Sequence, residues 1–395
     1  MFKTDYAPLA RPAILPDANN RSGLPAFASV GDVLHAYEGD DAIFVLYPKK
    51  IAAAARTFLN GFPGKVLYAV KANPHPAVLK TLWTSGVRNF DVASTREVEL
   101  VQSIAPSAKL FFMHPVKSRA AIRHAYAAGV RNFSFDSADE LQKMLEETGY
   151  PDDLSLHLRL ALPKGNAAMP LSGKFGADRA TAVDLLKAAR PHASQLGVTF
   201  HVGSQCLEIE DYDRALSYVR SVLDNAGIEI DSVDCGGGFP VAYPGMKPSP
   251  MADYFSAIRN ALTVHGFAGL EVLGEPGRAL CAQGGSTLTR VELRKGRDLY
   301  LNDGSYGSLF DAAQCAWKFP VKLHRASPRL AQANEDFRFF GPTCDSLDVM
   351  EGPFDLPADV QEGDWIEVCH LGAYGQALSS RFNGFYSETT VAVMA

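Results

Sequence analysis

The sequence lacks an excess of positive charge. Its 38 Lys and Arg are outnumbered by 44 Asp and Glu, giving a net charge of −6. It therefore carries no basic footprint for nucleic acid. It also lacks any apolar run near the roughly 20 residues that a membrane span needs. Cysteine is sparse: six residues, at 206, 235, 281, 315, 344 and 369, with no CxxC pair. That scatter fits neither a zinc site nor a disulfide framework, and it suits free thiols in a reducing cytoplasm. The opening residues Met1-Phe2-Lys3-Thr4-Asp5 lack a signal-peptide pattern. Low-complexity tracts and solenoid repeats are absent as well. What remains is an ordinary soluble globular composition, 47% hydrophobic and 21% charged. At 395 residues it is too long for one small domain, and two or three are expected.

What is present is a rhythm. A strand is predicted over residues 42–47, followed by a helix over 52–59. From Lys65 onward, short apolar runs alternate with polar loops and helical stretches. The runs fall at 66–70, 89–93, 109–113, 132–135, 154–160, 199–202, 232–235 and 269–273, with helical spacing over 120–128 and 140–147. Such strand–helix units predict an α/β fold, a (β/α)8 barrel. After Arg278 the texture changes to short β-rich runs at 286–294, 299–302, 321–324, 365–369 and 389–394. These predict an antiparallel β-domain. We expect an N-terminal segment over 1–41 that joins the β-domain, a barrel over 42–280, and the β-domain over 281–395. The 42–47 strand is a candidate for either side of the first boundary.

The stretch Lys65-Val66-Leu67-Tyr68-Ala69-Val70-Lys71 organises the rest. Lys71 ends a buried apolar run, where a charged amine costs desolvation free energy unless something uses it. Either its stem carries the charge out to solvent, as lysines at strand ends commonly do, or the amine forms a Schiff base with a carbonyl cofactor.

Barrel active sites lie where the strands end. The predicted ends carry Lys71, Asp91, Ser94, Glu97, Arg159, His201, Ser204, Gly236-Gly237-Gly238 and Gly274-Glu275-Pro276-Gly277-Arg278. Successive glycines let backbone N–H groups approach an anion, and Arg278 can add charge-assisted hydrogen bonds. A phosphate site after the seventh and eighth strands follows, although a Gly run is also an ordinary turn. Glu275 is either an ion-pair partner of that arginine or a carboxylate facing the ring nitrogen of pyridoxal phosphate. His201 is either a satisfied core histidine or a ring stacked on that cofactor.

Five motifs carry a resemblance: Tyr-Ala-Val-Lys-Ala-Asn-Pro, Phe-Asp-Val-Ala-Ser, His-Val-Gly-Ser-Gln, Cys-Gly-Gly-Gly-Phe-Pro and Gly-Glu-Pro-Gly-Arg, in that order. It continues through Asn302–Gly307, Gly341–Asp348 and Phe382–Phe385. In these the chain resembles the fold-type III pyridoxal-phosphate decarboxylases of ornithine, lysine, arginine and diaminopimelate. The resemblance implies that Lys71 holds pyridoxal 5'-phosphate, Glu275 pairs with its ring nitrogen, and His201 stacks on the ring. It implies that Ser204, Gly237, Gly238 and Arg278 hold the phosphate, with Tyr374 closing over it, Gly277 also at the cofactor, and Asp91 and Arg159 in support. It further implies a head-to-tail homodimer with shared sites. In that dimer Cys344 of the opposite subunit protonates the substrate carbon, and Lys174 pairs with Asp348 across the interface. The alternative for Cys344 is an ordinary buried cysteine.

Substrate choice turns on Asp345, which resembles the aspartate of the ornithine/lysine branch that attracts a terminal ammonium. Tyr306 and Phe382 belong to the same motifs and are further substrate-side candidates. The place of the family's second ammonium contact falls on Cys315, with Asp311 a candidate substitute. The resemblance thus points to decarboxylation of L-ornithine or L-lysine in polyamine biosynthesis. Decarboxylation of diaminopimelate or of a siderophore or other secondary-metabolite diamino acid stays open. So does a non-enzymatic regulator resembling the antizyme inhibitors. No metal, membrane or nucleic-acid partner is expected.

Overall fold

The computed structural model describes residues 23–163, 173–325, 330 and 332–394. Eight parallel strands close into a barrel: Lys65–Ala69, Asn89–Val92, Lys109–Phe112, Asn132–Phe135, Ser155–Arg159, Gln195–Thr199, Ser232–Asp234 and Glu271–Gly274. The last strand pairs with the first, Leu273 opposite Lys65 and Gly274 opposite Val66. The expected barrel is therefore present.

Local chemistry starts the helices that separate these strands. Ser94, Ser118, Ser137 and Asp178 each precede a helix and accept a hydrogen bond from the N–H three residues on. Each such cap contributes about 1 kcal/mol. The helix Pro48–Gly61 instead starts on proline, which has no N–H to leave unsatisfied. One face of the strands packs under the helices: Tyr68 and Phe90, both fully buried, meet edge to face at 6.4 Å. Burying a side chain of this size contributes roughly 2 kcal/mol. Leu67, Phe111, Met113 and Leu273 form a separate small apolar cluster on the other strand face.

The sixth strand corrects the sequence reading. It spans Gln195–Thr199 rather than 199–202, so His201 lies beyond its end instead of at its start. The strand includes Gly197, a residue that usually weakens a strand interior. Its position requires the absence of a side chain: a Cβ there would sit 2.3 Å from Ser232 Oγ and 2.6 Å from His157 Nδ1.

The second sheet has nine strands among the described residues. Gly285–Lys295 is its spine, pairing antiparallel with Ile43–Leu46, Asp298–Leu301 and Trp365–Cys369. The sheet is mixed rather than wholly antiparallel. Thr390–Val393 runs parallel to both Ala26–Phe27 and Ile43–Leu46, and Asp298–Leu301 runs parallel to Asn334–Phe340. Ile43–Leu46 thus lies in this sheet and not in the barrel, and the boundary expected at 42 falls after it. Most of the N-terminal segment lies outside the described residues.

Ala26–Phe27 escaped the sequence reading, and so did two longer strands, Asn334–Phe340 and Val349–Pro357, which pair with one another. Asn334, Glu335 and Asp336 open the first, and Gly352-Pro353 interrupts the second, so neither reads as an apolar run. Burial of Phe337, Phe339, Phe354 and Leu356 holds them in place. No described helix is long and apolar enough to cross a membrane.

Candidate active site

The first barrel strand ends at Ala69, and a single 3-10 turn, Val70–Ala72, carries Lys71 into the barrel mouth. Two hydrogen bonds from opposite domains clamp this turn. Asn73 Nδ2 donates to the Gly372 carbonyl at 2.8 Å, and the Tyr374 N–H donates to the Ala72 carbonyl at 2.8 Å. Tyr374 adopts φ +57°, a left-handed conformation costly for a tyrosine, and the Ala72 contact helps to fix it there. The β-domain therefore reaches across to shape the lysine loop.

A pocket at this mouth is lined by Lys71, His201, Ser204, Gly237, Gly238, Glu275, Gly277, Arg278 and Tyr374. Lys71 Nζ lies 3.4 Å from Asp91 Oδ2. Half of the lysine side chain is open to the cavity, whereas Asp91 is 3% exposed. The Asp91 charge holds the Lys71 ammonium above its ordinary range, against the opposite pull of burial. Arg159 closes the fifth strand, near enough that its charge acts on Lys71, His201 and Glu275.

The His201 ring is kept neutral. Burial, then the positive charges of Arg159 and Lys71, depress its basicity well below the usual histidine value. Its Nδ1 accepts the Gly203 N–H at 2.9 Å, so in the neutral ring the proton resides on Nε2. Glu275 is 4% exposed, and its Oε1 has no hydrogen-bond partner. Burial, then the negative charges of Asp234 and Asp91, raise its carboxyl well above the usual range. Asp234 is a site residue that the sequence reading missed. Burial pushes it up to about 6, although its Oδ1 accepts the Gly236 N–H at 2.8 Å. Its signal was its place at the end of the seventh strand, directly before Cys235 and the three glycines.

Those glycines line a cradle in which a side chain would collide. A Cβ at Gly237 would sit 2.8 Å from the Glu275 carbonyl and 3.0 Å from His201 Nε2, and one at Gly238 2.5 Å from the Gly203 carbonyl. Arg278 is 7% exposed and donates from Nη1 to Tyr243 Oη at 3.1 Å. Its guanidinium lies over Trp317 at 4.6 Å and Tyr374 at 4.8 Å. Tyr243 and Trp317 were also missed, because nothing in sequence links them to residue 278.

The other predicted residues lie outside this pocket. Cys344 is exposed on the β-domain, its N–H bonded to Asn383 Oδ1 at 3.0 Å. Tyr306 donates to Asp345 Oδ2 at 2.5 Å and packs on Phe382 with ring centroids 4.7 Å apart. Asp311, considered for a substrate ammonium, instead places Oδ2 2.9 Å from Arg278 Nη2. Cys315 Sγ lies 3.9 Å from Asp311 Oδ1.

Lys174 and Asp348, expected to pair across a dimer interface, each have other neighbours within the single chain. Asp348 is 2% exposed and accepts hydrogen bonds from Ser305 and Thr343, from the N–H and hydroxyl of each. The Lys174 ammonium stands over the Phe175 ring at 5.0 Å.

The residues present fit pyridoxal phosphate. The orphaned Glu275 oxygen suits a protonated ring nitrogen, the glycine cradle and Arg278 suit a phosphate, and Lys71 supplies an amine. Comparison with known proteins agrees. The family described as "Pyridoxal-dependent decarboxylase, pyridoxal binding domain" matches residues 48–282. The lysine/ornithine decarboxylase of Selenomonas ruminantium is 33% identical over 337 residues, 82% of each chain. Antizyme inhibitor 2 of Xenopus laevis is 32% identical, covering 87% of this chain and 78% of its own. The crystal structure of the Paramecium bursaria Chlorella virus arginine decarboxylase superposes with a TM-score of 0.81 at 29% identity, covering 92% of this chain and 99% of that one. With the amine, the orphaned carboxylate and the glycine cradle in one pocket, this chain belongs to the pyridoxal-dependent amino-acid decarboxylases.

Proposed function

We propose that the protein decarboxylates L-ornithine, L-lysine or both, giving putrescine and cadaverine for polyamine biosynthesis in the cytoplasm. The observation that carries this reading is Asp345, a carboxylate beside Cys344. Hydrogen bonds from Tyr306 and from the Leu347 N–H hold its carboxyl below the usual aspartate range. An anion that stays ionised suits a terminal ammonium. The relative from Selenomonas ruminantium, described as a lysine/ornithine decarboxylase, supports the same substrate class.

Bound in the pocket, pyridoxal phosphate supplies an electron sink for the pair left when carbon dioxide departs. The chain does the rest. Lys71 offers the amine that anchors the cofactor, with Asp91 and Arg159 setting its surroundings. Glu275 gives the ring nitrogen a partner that favours its protonated form. Neutral His201 offers a flat face without adding charge. Ser204, Gly237, Gly238 and Arg278 bind the phosphate, under Tyr374, with Gly277 also at the cofactor. The thiol of Cys344 delivers a proton to the substrate carbon. Cys344 and Asp345 do not line their own chain's pocket. We therefore read the working unit as a homodimer in which each copy completes the other's site.

With Cys315 in place of the second ammonium contact and Asp311 turned to Arg278, the distal end of the substrate has one carboxylate partner. That favours tolerance of more than one diamino acid. The test is product analysis after incubation with L-ornithine, L-lysine, L-arginine, meso-diaminopimelate and L-2,4-diaminobutyrate. Putrescine or cadaverine should dominate. A strong preference for arginine or diaminopimelate would overturn the use of Asp345. A protein that takes up no cofactor and releases no carbon dioxide would instead match a regulatory role.

A further inference from the structure

Asp311 and Arg278 form a buried ion pair, with exposures of 8% and 7%. At 2.9 Å the oxygen and nitrogen are in ionic contact. Yet Asp311 Oδ2 makes no well-directed hydrogen bond, so the contact is charge against charge rather than a bidentate lock. The arginine does not need this carboxylate for its position. Trp317 and Tyr374 flank the guanidinium, and Tyr243 holds Nη1. The short helix Phe310–Gln314 builds the arrangement as one piece. The Asp311 carbonyl accepts the Cys315 N–H at 3.1 Å and the Trp317 N–H at 3.3 Å, tying the anion and the stacking ring together.

We propose that Asp311 is a resident counter-anion of Arg278 that competes with the cofactor phosphate for the guanidinium and so weakens cofactor retention. The inference rests on the reading that Arg278 faces the phosphate. Two facts carry it beyond that reading. Among the described residues Arg278 is the guanidinium lining the pocket that also holds the glycine cradle, and its charge is already met by a buried carboxylate. A phosphate arriving there gains less than it would from an unpaired cation, because like charges then share one cation in a poorly solvated place. Without cofactor, the same carboxylate spares the fold an uncompensated buried charge. Burial raises the Asp311 carboxyl against the opposing pull of Arg278, which is consistent with an anion held at a cost.

The experiment compares wild-type, Asp311→Asn and Asp311→Glu holoenzymes. It measures the rate of pyridoxal phosphate loss on dilution, then the dissociation constants for pyridoxal phosphate and for pyridoxal, which has no phosphate. In Asp311→Asn, pyridoxal phosphate should bind about tenfold or more tighter and leave more slowly, while pyridoxal affinity stays at the wild-type value. The cofactor-free Asn variant should melt lower than cofactor-free wild type and gain more stability on loading. Asp311→Glu keeps the charge and should follow wild type. Should the Asn variant not fold, Asp311→Ser replaces it with the same expectation. Unchanged or weaker phosphate-cofactor binding in the uncharged variant overturns the inference. So does a change of equal size for pyridoxal. A wild-type protein that binds no pyridoxal phosphate fails the cofactor reading itself, which is a separate outcome.

Discussion

Lys71 Nζ stands 3.4 Å from Asp91 Oδ2, joining the end of the first barrel strand to the second strand by charge. A covalent anchor and a simple ion-pair partner make different demands on residue 71. Lys71→Arg keeps a cation within reach of Asp91, so it should melt within about 4 °C of wild type. It should nonetheless lose both the visible absorbance of lysine-bound cofactor and carbon dioxide release, as should Lys71→Ala. Turnover retained in either variant, followed by manometry or product chromatography, would remove Lys71 from the chemistry.

The separation of Cys344 from the Lys71 pocket yields a test that needs no interface structure. Lys71→Ala and Cys344→Ala chains are each expected to be nearly inactive alone. Co-expressed and randomly paired, about half of the dimers are mixed, and each mixed dimer has one site with both residues intact. Activity should then recover to about one quarter of wild type. No recovery, with mixed dimers verified by differential tagging, would place Cys344 and Lys71 of one chain in the same site.

Acid stability should depend on Glu367. It is 3% exposed, with Tyr47 donating to Oε1 and His324 Nε2 at 3.2 Å from Oε2. Burial alone would raise its carboxyl. Those two partners and the Lys322 charge reverse this and hold it down to about 2, from an ordinary 4.5. The folded state thus binds fewer protons than the unfolded chain in that interval. The stabilisation is present above the unfolded value and lost as pH falls toward the folded one, with a total on the order of 3 kcal/mol. Glu367→Gln should therefore be less stable than wild type near neutrality, and the gap should narrow between about pH 5 and about pH 3. Urea unfolding across that range measures it. A gap that stays constant would remove the carboxylate's ionisation as the cause.

Sequence alone determined the parts of this protein that local rules govern. The barrel strands after Lys65 are apolar runs between turn residues. Their ends carry Lys71, Asp91, Glu275 and Arg278 because a strand's terminus is also where its side chains meet a ligand. Where a local signal misled, a neighbour distant in sequence was responsible. Gly197 is a strand residue because it pairs with His157 on one side and Ser232 on the other, and their side chains leave no room for a Cβ. Asn334–Phe340 is a strand because Val349–Pro357 pairs with it. Only the tertiary structure decided which charges meet. It enclosed Asp348 with Ser305 and Thr343, turned Asp311 toward Arg278, set Asp234 beside Glu275, and left Cys344 outside its own chain's pocket. Charge pairing and burial depend on distances across the fold, and no spacing along the chain encodes them.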